Sequence, residues 1–237
     1  ASNLLKREFD ATPPNVVLST KAPELTNAPF TVNILFSEEV VEFEMGDISL
    51  TNATAGNFRQ VSNAEYTVEI TPVKDGEVTV KVAAGKAKDA ATNANTASNI
   101  VKLAYDATAP AGYTVRFDVD KVDFSNQKNI GLSVTGAEAG ATYFFTISSS
   151  RGGKDVTGTA TATAASFSRS GIDVSGLNDG QLTVTFYQVD AAGNQGEEVK
   201  AEVVKLTKNI VAVSSAEQIR VPFKTTYKDL PLPKQLE

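Results

Sequence analysis

Apolar residues recur at every second position along much of the chain. In FTVNILF, residues 30–36, the side chains of Phe30, Val32, Ile34 and Phe36 fall on one face, with Thr31 and Asn33 on the other. This period of two is typical of a β-strand with one buried face, whereas an amphipathic helix needs a period of about 3.6 residues. No segment has a helical period of useful length. The alternation therefore predicts antiparallel strands, each with one face in a core.

The same alternation continues through both halves of the chain. Turn-forming residues separate the alternating segments about every ten positions, which is typical of a β-sandwich. Between two of these segments, Asp75-Gly76 predicts a hairpin turn. The sequence thus predicts an all-β fold, with further strands in residues 65–72, 76–85, 112–119, 129–134, 142–148 and 181–189.

Short motifs occur twice, at a spacing near one hundred residues. A period of this length indicates tandem domains of sandwich size. Three pairs carry the repeat: FDATPP (9–14) with YDATAP (105–110), KDAATNAN (88–95) with VDAAGNQG (189–196), and NIVKLAYD (99–106) with EVVKLTKN (202–209).

The repeat divides the chain into two domains with a segment at each end. The C-terminal segment is too short for a third sandwich. We interpret it as the truncated opening of a further repeat, with a strand and tail packed on the second domain as the alternative. The predicted divisions are an N-terminal extension at 1–9, a first domain at 10–105, a second domain at 106–208 and a C-terminal segment at 209–237.

The composition excludes several kinds of active site. The chain has no His, Cys or Trp, so it can form neither a Ser-His-Asp or Cys-His nucleophile pair nor a His or Cys zinc site. Carboxylate and amide oxygens remain, and these are ligands for hard cations such as calcium. We expect no enzyme and no required cofactor, with calcium as the one metal to consider.

Charge and hydropathy exclude two classes of partner. The net charge is −6 and the pI is about 4.9, with no Lys- or Arg-rich run, so we expect no nucleic-acid binding. No stretch approaches the roughly 20 apolar residues of a membrane span. The N-terminal ASNLLKREFD also lacks the apolar core of a signal peptide. We expect no direct membrane insertion.

The motifs and their order resemble bacterial immunoglobulin-like (BIg) tandem repeats of surface and secreted proteins. The resemblance rests on DATPP and DATAP, on PFTVNILFSEEVVEFEMGDISLTNATAGNF, on YTVEITPVKDGEVTVKVAAGKAKDAATN and on VDAAGNQG. It covers residues 10–105 well and 106–208 more loosely. It implies seven-stranded Greek-key sandwiches arranged head to tail, as in adhesins and multidomain secreted enzymes. In some such arrays, calcium at the domain junctions stiffens the rod.

The second domain departs from this pattern. It has no counterpart of FSEEVVEF, and its middle, residues 141–176, is longer and rich in Ser and Thr. A divergent subfamily of the same sandwich fits these features. A fibronectin-type-III-like sandwich is also open, because FYQVDAAGN (186–194) resembles the strand and turn that close such a module.

The candidate metal ligands lie in the repeated motifs. Carboxylates of Asp89 and Asp106 would approach each other if the closing loop of one domain met the opening segment of the next. With amide oxygens they could form part of a calcium cage. The alternative, which we favour, is that these residues cap turns through nearby amides, with Gly193 and Asn194 tolerating a positive φ. The candidates are Asp10, Asp89, Asn93, Asp106, Asp190 and Asn194.

Three other groups invite a functional interpretation. Asp118 and Asp120 have a DxD spacing, but a solvated face explains them better. The loop 148–158 could contact a ligand, although a mobile hairpin tip is the simpler interpretation. The acidic run EEVVEFE lacks the cleft that glycosidase carboxylates need and suits a guarded strand edge; its acids are Glu38, Glu39, Glu42 and Glu44.

These observations predict a non-catalytic spacer or stalk segment of a bacterial cell-surface or secreted protein, related to adhesion. Its partners would be neighbouring repeats of the same chain, and the chain would be monomeric. Two alternatives stay open: an Ig-like module that binds a glycan or a host protein, and an accessory region of a secreted polysaccharide-degrading enzyme.

Overall fold

The computed structural model describes residues 9–208. The predicted C-terminal segment, and all but the last residue of the predicted N-terminal extension, lie outside the described residues. Within 9–208 the only helical turn is a 3-10 turn at Met45–Asp47, and no helix there is long and apolar enough to cross a membrane. The prediction of an all-β fold is confirmed.

The first sandwich contains two four-stranded sheets. Their strand orders are β1-β3-β6-β5 and β2-β8-β7-β4. The strands are β1 (Val16–Thr20), β2 (Leu25–Thr26), β3 (Phe30–Phe36), β4 (Ile48–Thr51), β5 (Ala53–Gln60), β6 (Glu65–Pro72), β7 (Gly76–Val82) and β8 (Val101–Tyr105).

The second sandwich also has eight strands, in sheets of three and five. Their orders are β14-β11-β9 and β10-β16-β15-β12-β13. The strands are β9 (Thr114–Phe117), β10 (Lys121–Val122), β11 (Ile130–Thr135), β12 (Thr142–Ser149), β13 (Val156–Thr161), β14 (Ser166–Ile172), β15 (Gly180–Val189) and β16 (Val199–Lys205).

Each sandwich has a hydrophobic core of its own, built from the alternating side chains. In FTVNILF, Phe30, Val32, Ile34 and Phe36 all point into the first core, between exposed neighbours. Burying each such side chain contributes about 1.5–3 kcal/mol. The other predicted inward residues are also buried, namely Tyr66, Val68, Ile70, Val78, Val80 and Val82 in the first core, and Tyr113, Val115, Phe117, Ile130, Leu132, Val134, Tyr143, Phe145, Ile147, Leu182, Val184 and Phe186 in the second.

The fifth strand distinguishes the two sandwiches. In the first, β5 pairs with β6 and so extends the sheet of β1 and β3. In the second, β13 forms a hairpin with β12 and so extends the opposite sheet. The Ser/Thr-rich middle of the second sandwich forms this hairpin. The hairpin explains why this middle is longer than the corresponding part of the first sandwich.

The predicted hairpin at Asp75-Gly76 is wrong. Gly76 does adopt a positive φ of 126°, but β6 and β7 belong to different sheets. The turn therefore crosses the sandwich. Asp179-Gly180 makes the same crossing between β14 and β15. A dipeptide signals a change of direction, whereas the strand that becomes the hydrogen-bonded partner depends on the whole fold.

The acidic run EEVVEFE does not form a strand edge. Among the described residues, Val41 makes only an isolated bridge to Lys88, while Val40 and Phe43 are buried in the first core. The run crosses between the sheets, and its apolar residues anchor it there. That interpretation of the glutamates as guards of an edge was wrong.

The match of NIVKLAYD with EVVKLTKN is shifted by three residues from the structural match. Tyr105 lies opposite Gly76, and Lys205 lies opposite Gly180, so Tyr105 and Lys205 are counterparts. By the same ladder Asp106 corresponds to Leu206, since each donates its backbone N–H to the short parallel strand beside it. The sequence match had paired Asp106 with Asn209.

Candidate functional site: the closing loops and the junction

The segment that follows β7 ends in a loop held by Asp89 and Asn93. The Asp89 Oδ1 atom accepts the backbone N–H of Asn93 at 2.8 Å, and Oδ2 accepts its Nδ2 at 2.8 Å. The Asn93 Nδ2 also donates to the backbone oxygen of Asp10 at 3.2 Å. The loop thus joins the last part of the sandwich to its first residues.

The second sandwich repeats this arrangement. Asp190 accepts the N–H and the Nδ2 of Asn194, both at 2.8 Å, and the same Nδ2 donates to the backbone oxygen of Asp106 at 2.9 Å. We call residues 89–93 and 190–194 the closing loops. Their shared geometry explains why a D-A-x-x-N spacing recurs.

The opening aspartates cap turns of their own. Asp10 Oδ1 accepts the N–H of Thr12 at 2.9 Å, and Asp106 Oδ1 accepts that of Thr108 at 3.0 Å. We call residues 10–12 and 106–108 the opening segments. Both have the sequence Asp-Ala-Thr, and in both the first aspartate satisfies an amide two residues later.

The acids pair within each sandwich, which corrects the expected approach of Asp89 to Asp106. Asp89 lies beyond the end of β7, near Asp10, whereas Asp106 follows Tyr105, which lies opposite the start of β7. The seven residues of β7 span roughly 20 Å at about 3.3 Å per residue. Each sandwich therefore has its opening and closing residues at one end and its exit at the other.

A third acid joins the first pair. Ligand oxygens of Asp10, Glu38 and Asp89 all lie within 4.8 Å of one another, the only such acidic group in the described part of the chain. Burial, and then the negative charges of Asp10 and Asp89, raise the pKa of Glu38. For Asp89, burial opposes the charged form, but hydrogen bonds from Asn93 and neighbouring amides hold the pKa below its ordinary value.

The second sandwich has a matching acid. Glu138 follows β11 as Glu38 follows β3, and burial, then the charges of Asp190 and Asp106, raise its pKa. The buried Gln188 fixes the backbone of Glu138 by two hydrogen bonds, one accepted at 3.0 Å and one donated at 3.3 Å. The sequence did not indicate Glu38 or Glu138 as partners of the aspartates, because each comes from a loop far away along the chain.

The acidic cluster of Asp10, Glu38 and Asp89 offers ligand atoms that suit a hard cation. Three carboxylates with oxygen donors are the type of group that calcium binds. The side-chain amides of Asn93 and Asn194 differ from these carboxylates. Each Nδ2 contacts two acceptor oxygens, so the nitrogen, and not Oδ1, faces the aspartates. Asn93 and Asn194 thus donate hydrogen bonds to the carboxylates of Asp89 and Asp190. Calcium binding stays a prediction. The ligands in this prediction are the three carboxylates.

The two closing loops differ at one position. Gly193 has a φ of 92°, as expected for a glycine in a turn, while Thr92 has a φ of 71° at the equivalent place. A β-branched residue in this left-handed region is uncommon and costly. Asn194 does not share the positive φ that the sequence had suggested.

A direct hydrogen bond joins the two sandwiches at the second closing loop. Asn27, in the turn between β2 and β3, donates its Nδ2 to Oδ1 of Asn194 at 3.1 Å. A Cβ at Gly193 would also lie 3.7 Å from this Nδ2. The loop that closes the second sandwich therefore contacts the first.

The segment between the sandwiches is tied to both. Asp75 accepts the N–H of Ala107 at 2.7 Å and the hydroxyl of Thr108, and these two bonds, the hydroxyl first, lower its pKa. Farther along, a side chain at Gly196 would overlap the backbone oxygen of Pro110. We call the Asn27–Asn194 bond and the Asp75 bonds the junction contacts.

The exit of the second sandwich repeats part of this pattern. Asp179 is the counterpart of Asp75 and accepts the N–H of Thr207 at 3.0 Å and its hydroxyl at 2.9 Å. Burial opposes its charge, but the Thr207 bonds hold its pKa below the ordinary value. The crossing turn thus fixes the residues that leave each sandwich.

Lys205 is buried beside this exit. Its side chain enters the second core, and its Nζ donates to the backbone oxygens of Val174 at 2.8 Å and Leu177 at 2.6 Å. Burial lowers its pKa, although Asp179 and then Asp173 oppose this. The sequence match had equated Lys205 with Lys102, which is exposed and pairs with Glu77.

The tip of the loop 148–158 is not free. Asn178 donates its Nδ2 to the backbone oxygen of Arg151 at 2.8 Å, and Ser149 donates its hydroxyl to the backbone oxygen of Asn178 at 2.9 Å. Gly153 pairs with Leu177. The hairpin was predicted correctly, but its tip is fixed to the adjacent turn. The DxD aspartates, Asp118 and Asp120, are exposed, as expected.

Comparison with known families decides the identity of the first sandwich. Residues 10–105 match the family described as Bacterial Ig-like domain. The first sandwich is a bacterial Ig-like domain. Its match begins at Asp10 and ends at Tyr105, so it includes the opening segment, the acidic cluster and the closing loop. No curated protein sequence matches the chain.

Three solved structures also match most of the chain at low sequence identity. A tetra-tandem repeat from the extending region of a large adhesion protein is 24% identical over 82% of this chain and 50% of that one, with a TM-score of 0.36. A 1.5-MDa bacterial ice-binding adhesin is 19% identical over 84% and 66%, with a TM-score of 0.45. Fibronectin(III)-like modules of Clostridium thermocellum CbhA are 12% identical over 79% and 94%, with a TM-score of 0.35. The chain thus spans half the length of the first of these.

Proposed function

We propose that the chain is a non-catalytic spacer segment of a bacterial cell-surface or secreted protein, in which Ig-like sandwiches follow one another head to tail. The observation that carries this proposal is the pair of contacts across the junction. Asp75 holds the opening segment of the next sandwich, and Asn27 bonds to the closing loop of that sandwich. A spacer needs junctions that fix the orientation of each domain relative to the next.

The positions of the opening and exit residues support the same proposal. In the first sandwich, Asp10 lies beside the closing loop and Asp106 leaves from the opposite end. Successive sandwiches therefore add length instead of folding back. The proposed partners are neighbouring repeats, bound through the ends of each sandwich.

The geometry gives less support to a ligand-binding module. The loop 148–158 was the sequence candidate for ligand contact, but its tip is bound to the turn at Asn178. A ligand loop would need free backbone groups or a cleft of its own. An accessory role in a larger enzyme is compatible with a spacer, because catalysis would then lie on other domains.

Small-angle scattering of the intact chain tests the spacer proposal. We expect an elongated particle whose maximum dimension is close to the sum of the two sandwich lengths, with little change between low and high salt. A compact particle with the sandwiches side by side would contradict the proposal. Protease accessibility of the natural protein on intact cells then tests its location, and full protection by the envelope would oppose a surface role.

A further inference from the structure

We propose that the N-terminal end of the first sandwich, built around Asn93 and the opening segment 10–12, is a docking surface for the exit end of another sandwich of the same kind. The contacts would be those that Asn27 and Asp75 make to the second sandwich in this chain. This inference rests on the proposed spacer function and gives it a defined partner.

The first argument is the matching hydrogen-bond geometry of the two closing loops. Asn93 and Asn194 each donate three equivalent hydrogen bonds, to the aspartate four residues earlier and to the first residue of the opening segment. These bonds fix the amide, so Oδ1 points away from them. At Asn194 that oxygen accepts Asn27. At Asn93, no donor among residues 9–208 reaches it.

The second argument is the opening segment. Asp75 binds the N–H of Ala107 and the hydroxyl of Thr108. Ala11 and Thr12 occupy the same places before the first sandwich, and the Asx turn at Asp10 matches the one at Asp106. Within the described residues, neither Ala11 N–H nor Thr12 Oγ1 has a hydrogen-bond partner. The two donors that a second Asp75 would need are thus present.

The third argument is the sequence in front of this surface. Residues 2–14, SNLLKREFDATPP, match residues 98–110, SNIVKLAYDATAP, at seven of thirteen positions. Three of the differences are conservative exchanges of apolar residues: Leu4 for Ile100, Leu5 for Val101 and Phe9 for Tyr105. The sequence that ends the first sandwich and leads into the second therefore also precedes the first.

The chemistry of the partner follows from these contacts. It must bring a carboxamide donor at the position of Asn27 and a carboxylate before a crossing-turn glycine, as in Asp75-Gly76. Both groups are polar and exposed, so the docking is specific in geometry but weak. A single hydrogen bond of this kind shifts an equilibrium by about two- to tenfold.

A tandem duplication of residues 10–105 within the full chain tests the proposal. The insertion places Tyr105 of a first copy directly before Asp10 of a second copy and so creates the proposed junction. Because the chain contains no cysteine, cysteines introduced at the exposed Lys81 of both copies can carry spin labels without competing sites. Pulsed dipolar spectroscopy then gives the distribution of distances across the new junction.

We expect a narrow distribution that N93A in the second copy broadens, with the docked-to-undocked ratio falling about two- to tenfold. N93A in the first copy is the matched control, since it removes the same bonds within a sandwich but lies at no created junction. A broad distribution in the unmutated duplication, or equal effects of both N93A variants, would overturn the proposal. An elongated parent chain with a freely bending new junction would overturn this inference alone, whereas a compact parent chain would overturn the spacer function.

Discussion

Asn27 and Asn194 lie 167 residues apart in sequence and join the two sandwiches by a hydrogen bond of 3.1 Å between their side-chain amides. Both groups are uncharged, so the bond is insensitive to ionic strength. Asn194 is at the same time bound to Asp190 and to the backbone of Asp106. One side chain thus completes its own domain and orients the preceding one.

Removing this bond should loosen the junction and leave both cores intact. In N27A, labels at Lys81 and Lys200 should show a broader distance distribution, because Asn27 is exposed and, among residues 9–208, its side chain bonds only across the junction. The melting temperature should change little. N33A is the control, because Asn33 is also an exposed asparagine of the first sandwich but lies on β3 away from Asn194. Equal distributions for N27A and N33A would contradict the assigned role.

Exchanging the residues of positive φ should change stability in opposite directions. T92G should stabilise the first sandwich by about 1 kcal/mol, because glycine adopts the left-handed conformation without strain. G193T should destabilise the second by about 1–2 kcal/mol for the same reason. Denaturant unfolding of each variant measures both changes. A loss of stability in T92G would show that Thr92 makes a compensating contribution.

Replacing Lys205 should destabilise the second sandwich. K205M keeps the apolar stem but leaves the oxygens of Val174 and Leu177 without their donor, at a cost of about 2 kcal/mol. K102M, which removes an exposed lysine from the equivalent sequence motif, should change the free energy of unfolding by less than about 0.5 kcal/mol.

The pH dependence provides a second measurement on Lys205. Burial lowers the pKa of Lys205 in the folded state below its unfolded value of 10.5. Between these two pKa values the unfolded chain binds more protons than the folded chain, so the free energy of unfolding rises with pH. The parent chain should therefore gain stability relative to K205M as the pH rises from the folded pKa towards 10.5. A constant difference across this range would contradict a buried charged amine.

The acidic cluster should respond to pH and to calcium. The pKa of Glu38 is raised above its ordinary value of 4.5, so the fold loses stability as the pH rises from 4.5 to the folded pKa, and this loss is complete above it. Without divalent cations, E38Q should melt at a higher temperature than the parent at pH 7, and the difference should vanish below pH 4.5. E39Q, next to it and exposed, is the control for charge.

Calcium should reverse this order if it binds the three carboxylates. The parent and E39Q should then gain melting temperature with calcium relative to chelator, whereas E38Q should gain less. Equal shifts in all three proteins, or no shift in any, would oppose a site at Asp10, Glu38 and Asp89.

The core was predictable because its signal is local. Alternation along β3 or β15 decides which side chains face inward, independently of which strand lies beside them. Many of the strands that the pattern missed are short or lie at sheet edges, such as β2 and β10, but it also missed β8 and the seven-residue β16, which lie inside their sheets. The doubled D-A-x-x-N motif also predicted turn caps correctly, because Asp89 and Asp190 act on residues four positions away.

The rest depended on contacts between distant parts of the chain. The acidic cluster adds Glu38 from a loop that nothing local connects with Asp89. The junction depends on Asn27, which lies in a turn without a motif. The sequence match of Lys102 with Lys205 failed because it aligned similar residue types three positions away from the structural equivalence. That equivalence follows only from how β8 pairs with β7 and β16 pairs with β15.

The short parallel strands β2 and β10 determine how a pulled chain would bear load. The Asp106 N–H bonds to the oxygen of Thr26, and the Leu206 N–H bonds to that of Val122, so the last strand of each sandwich is bonded alongside a strand near its start. A force applied through the two ends of a sandwich draws these strands in opposite directions along their axes. The bonds are then loaded in shear and at the same time, instead of breaking one after another. Each sandwich therefore resists tension independently of its neighbour.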